Sequence, residues 1–85
     1  MLPREAFEQG QNIDIRQIRF EIKHIGLTNR NMIIEACNGD PNKYFIAGQR
    51  IEIGMCLFLI RYIGEKDGIV SMDEISDHQQ KGGPK

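Results

Sequence analysis

The sequence predicts a mainly α, compact four-helix single domain with a buried central helix near 50–65, and three patterns lead there. Ile15, Ile18, Ile22 and Ile25 fall on one narrow face at about 100° per residue. Ten of the 13 residues from Ile51 to Ile63 are apolar, as in a helix enclosed on most sides. Capping residues stand where helices would begin: Asp14, Thr28, Asp40 with Pro41, and Ser71 with Glu74.

Taken in order, the first helix spans 13–25, with Gly26 as its C′ glycine and Leu27 as the accompanying apolar contact. The second spans 28–38 and turns Met32, Ile33, Ala36 and Cys37 inward. Asn38-Gly39-Asp40-Pro41 ends it and starts a short piece, 41–47. Gly48 separates that piece from the central helix, 50–65, and a capping box opens a last helix at Met72. A competing reading is α+β with 13–25 and 44–53 as strands. Ile18-Arg-Phe20-Glu-Ile22-Lys alternates as a half-buried strand does, which would place a bulge near Gln17 and a hairpin turn at Gly48-Gln49.

The segments outside 12–75 are polar. Residues 1–11 read as a flexible N-terminal arm, and 76–85, which hold no large apolar group, read as a disordered tail. Neither an internal repeat nor a low-complexity segment stands out.

The composition narrows the function. A net charge of −1 and a pI of about 6.1 argue against a dedicated nucleic-acid binder. No run approaches the ~20 apolar residues of a membrane helix, and the N-terminus lacks a secretory signal pattern. Cys37 and Cys56 read as reduced thiols of a cytoplasmic protein, because two cysteines make no disulfide framework.

Chemistry-bearing motifs are few. His24, Cys37, Cys56 and His78 have no zinc-ligand spacing, so no metal is expected. Residues 63–74 echo a calcium loop, but Ile63 stands where the first acidic ligand belongs. No nucleophile elbow or phosphate-binding glycine loop is present, so neither catalytic residues nor cofactors are expected and the chain reads as a non-enzyme. Leu57–Ile63, the Glu65–Gly68 turn, Ile69-Val70-Ser71 and Met72–Ser76 together resemble the opening of a winged helix-turn-helix domain. That resemblance covers about 20 residues and lacks the recognition helix.

Two functional expectations follow. On the helical reading Ile13, Phe20 and Leu27 form a second apolar face that so small a core cannot use. They are the expected interaction surface of a self-associating regulatory module, whose partner is a second copy or another protein. The alternative is a small DNA-binding regulator, with Arg16, Arg19, Lys23 and Arg30 as phosphate contacts.

Overall fold

A computed structural model of the chain describes residues 3–26 and 29–75. Its described residues form one curled, six-stranded antiparallel sheet, a half-barrel. The strands are β1 (Asn12–Ile15), β2 (Ile18–Ile25), β3 (Asn31–Ala36), β4 (Arg50–Ile53), β5 (Cys56–Ile63) and β6 (Ile69–Ile75). Their spatial order is β1-β2-β3-β6-β5-β4. A helical turn, Pro3–Ala6, and a 3₁₀ turn, Pro41–Lys43, are the other regular elements described.

The expected four-helix domain is therefore overturned. The supposed central helix, 50–65, is the β4–β5 hairpin, and 28–38 contains β3. The helix placed at Met72 is strand β6, so the 57–76 stretch holds no helix-turn-helix among its described residues. The α+β alternative is right that 13–25 is extended. That stretch is two strands, however, with Gln17 in the turn between them, and the bulge lies further on, between Ile22 and His24. The 44–53 hairpin is not formed, because β4 starts only at Arg50 and pairs with β5. Asp40 and Pro41 do start a helical turn, as their capping chemistry predicts: the Asp40 carboxylate accepts from the Asn42 N–H.

A second correction concerns repeats. Shifting the chain by 38 residues superposes its two halves, residues 3–37 on 41–75. Ten of these 35 positions are identical, from Pro3/Pro41 and Phe7/Phe45 through Gly10/Gly48 and Gln11/Gln49 to Ile25/Ile63 and Gly26/Gly64. The structure repeats with the sequence. Gly10 N–H donates to the Ile22 carbonyl at 2.7 Å, and Gly48 N–H donates to that of Ile60 at 2.7 Å. Both longer strands shift register at the same place, Ile22/His24 and Ile60/Tyr62. Gly26 and Gly64 both have no room for a Cβ: it would lie 1.9 Å from Asn29 Oδ1 in one half and 1.8 Å from Asp67 Oδ1 in the other.

The two halves join through β3 and β6, paired about Ile33 and Ser71. The core is made by inward side chains from every strand, with Phe20, Ile22, Met32, Phe58 and Met72 fully enclosed. Phe7 and Phe45, outside the strands, complete it in a crossed manner. Phe7 of the first half packs on Phe58 of the second, and Phe45 of the second packs on Phe20 of the first, both with ring centroids 6.2 Å apart. The burial of Phe7 ties part of the expected N-terminal arm to the sheet.

Candidate interaction surface

The residues expected at the surface divide. Phe20 is fully buried, because β2 turns Ile18, Phe20 and Ile22 to the interior together. Ile13 is half-buried against the core at the edge strand β1, and Leu27 lies outside the described residues. Ile13 and Phe20, directly opposed across β1 and β2, share the inward face of the sheet and form no exposed one. Each of the four expected phosphate contacts has a partner within the chain. Arg16 donates to the Tyr44 carbonyl at 3.0 Å and lies over the Phe45 ring. Arg19 pairs with Asp14, Lys23 with Glu21 and Glu35, and Arg30 with Glu74. The hydrogen bond from Arg19 holds the Asp14 carboxyl below its usual range. The Glu21 charge beside Lys23 raises its ammonium pKa.

Arg16 is the described non-glycine residue with a positive φ, +58°. It is the first residue of the two-residue β1–β2 turn, and its counterpart in the other half is Gly54, at +62°. The carbonyl and ring contacts of Arg16 offset a conformation that glycine adopts freely.

The internal repeat shows which surface residues the fold itself requires. At equivalent outward positions the first half carries Glu8, Gln17, Arg19, Glu21, His24 and Cys37; the second carries Ile46, Met55, Leu57, Leu59, Tyr62 and Ile75. Met55, at the tip of the β4–β5 hairpin, is 86% exposed and Tyr62 is 55% exposed. Leu57 and Ile75 are directly opposed across β5 and β6, and Leu59 stands two residues along the same face. Arg50 lies beside Leu59 and Glu52 beside Leu57, on the neighbouring β4. The second half thus presents an apolar strip, exposed at Met55 and half-buried at Leu57, Leu59 and Ile75, flanked by Arg50 and Glu52 on β4 and by the Arg61–Asp73 pair on β5 and β6. The same scaffold accepts Arg19 and Glu21 at the positions of Leu57 and Leu59, and Gln17 at that of Met55, so sheet formation does not account for these apolar residues.

A polar recess of about 500 Å³ borders it, lined by Asn29–Asn31 and Asp73–Ile75. Within it the Glu74 carboxylate, almost wholly buried, is held by the half-exposed Arg30 guanidinium. At the repeat-related place Ala36 stands for Glu74 and Gly68 for Arg30. No cluster of three or more metal-ligating side chains occurs among the described residues, and residues 63–74 form strand, turn and strand in place of a calcium loop.

Both cysteines are free; Cys37 is exposed and Cys56 is buried at the position equivalent to Ile18. Burial pushes the Cys56 thiol up, and the nearby Glu74 charge adds to this. Alkylation of the native protein should therefore modify one thiol, Cys37, with the second reacting only in denaturant. Mass spectrometry of the labelled chain checks this, and rapid double labelling of the folded protein would contradict it.

No helix of the described residues is long and apolar enough to cross a membrane. Comparison with known proteins finds no matching family model, no matching curated protein and no matching solved structure.

Proposed function

We propose that this chain is a non-catalytic, self-associating interaction module of the cytoplasm, which docks a protein surface on the outer face of β4, β5 and β6. The carrying observation is the divergence of the two halves. One scaffold, used twice, has Gln17, Arg19 and Glu21 outside one copy and Met55, Leu57 and Leu59 at the same places outside the other, where Ile75 extends the apolar strip. An outward apolar strip that the fold does not need marks a surface that something covers. The two free thiols suit a reducing compartment. The DNA-binding alternative draws less support, since Arg16, Arg19, Lys23 and Arg30 are already engaged with carboxylates or a carbonyl.

The test is sedimentation equilibrium across a wide concentration range. A mass that rises toward a multiple of the chain mass is expected at micromolar concentrations. A single-chain mass up to millimolar concentration would remove the proposal.

A further inference from the structure

We infer that the partner on this face is a second copy of the chain, laid over the first about a two-fold axis that crosses the strands. The inference rests on the proposed docking face and specifies its occupant. Its basis is the arrangement of charge. Around the outer face, cations and anions are paired within the chain: Arg19 with Asp14, Lys23 with Glu21 and Glu35, Arg61 with Asp73. Arg50 and Glu52 have no such partners among the described residues. The reason lies in the repeat. In the first half Asp14 is satisfied by Arg19; in the second, Glu52 occupies the place of Asp14 while Leu57 replaces Arg19. Leu59 likewise replaces Glu21, and stands beside Arg50.

Arg50 and Glu52 lie on one face of β4, two residues apart, with Leu59 and Leu57 at their sides. A two-fold axis across the strands reverses strand direction and keeps lateral order. It therefore sets Arg50 over Glu52 of the second copy, Glu52 over its Arg50, and the leucines over each other. On β6 the same axis sets Ile75 over Asp73 of the second copy, whereas Arg50, Glu52, Leu57 and Leu59 are complementary to themselves in charge and in apolar content. An isologous contact requires this of a surface, and complementary charge fixes the register of such a contact.

Three variants test this. The double variant Leu57→Arg/Leu59→Glu places on the second half what the first half already carries, so the fold tolerates it. It should be folded by circular dichroism and monomeric by sedimentation. Arg50→Glu and Glu52→Arg should each weaken self-association at least about tenfold, because both cross-pairs become repulsive. An equimolar mixture of these two single variants restores opposite charges at both cross-pairs and should form heterodimers of near wild-type affinity. A wild-type dimer unaffected by Leu57→Arg/Leu59→Glu would overturn this surface while leaving self-association standing. Weakened single variants that fail to recover on mixing would overturn the two-fold arrangement. A wild-type chain that never associates would overturn the proposed function itself.

Discussion

Replacing Phe58 with alanine is expected to destabilise the protein by about 3–5 kcal/mol. Phe58 is fully enclosed in the middle of β5, in contact with the Phe7 ring. Stability at roughly 0.05–0.15 kcal/mol per residue amounts to about 4–13 kcal/mol for a domain of this size. The substitution therefore removes about a quarter of it at least, and in a marginal case all of it. Phe20 holds the same place in the first half, equally buried and facing Phe45 at the same centroid separation. Its alanine variant should cost within about 1 kcal/mol of the Phe58 variant, since the two environments are repeats of each other. Urea denaturation gives both values, provided the slope is unchanged. A loss below about 1 kcal/mol at either site would contradict the crossed-ring core.

Breaking the Arg30–Glu74 pair should be strongly lopsided. Arg30→Met leaves a carboxylate in an enclosed position and should cost about 2–3 kcal/mol, less than for a fully buried pair because water reaches the guanidinium side. Glu74→Ala removes the charge that needs the partner, and the repeat-related place is closed by Ala36 against Gly68. Its cost should stay near 1 kcal/mol. Adding Arg30→Met to Glu74→Ala should then cost almost nothing, and a double-mutant cycle measures this coupling. Equal losses for the two single variants would show that the buried carboxylate does not depend on Arg30.

The fold class was misread for a definite physical reason. Ile15, Ile18, Ile22 and Ile25 are spaced three, four and three residues apart, which is helical spacing. They all face inward here because two interruptions reset the two-residue alternation of a strand. The two-residue turn at Arg16-Gln17 lets Ile15 and Ile18 share a face, and the bulge after Ile22 does the same for Ile22 and Ile25. Ile53, Cys56, Ile60 and Ile63 repeat the pattern, which is why 50–65 also read as one helix. The alternation of Ile18, Phe20 and Ile22 was legible, as was the turn started by Asp40 and Pro41. The repeat is hard to see because its ten identities are scattered, no more than two adjacent, and four of them are isoleucines in an isoleucine-rich chain. The docking strip was hidden with it. Leu57 and Leu59 look like core residues until Arg19 and Glu21 are seen in the same places.

The crossed phenylalanines also bear on how the chain is made. As synthesis proceeds from the N-terminus, the first half leaves the ribosome complete in its strands but lacking Phe45, which fills its interior, and β6, which borders β3. Its own Phe7 has nothing to rest on until Phe58 follows. Neither half closes its interior alone, so the nascent chain carries open apolar surface until almost the last described strand has emerged. The crossing that ties the two halves together thus also makes the folding of each wait for the other.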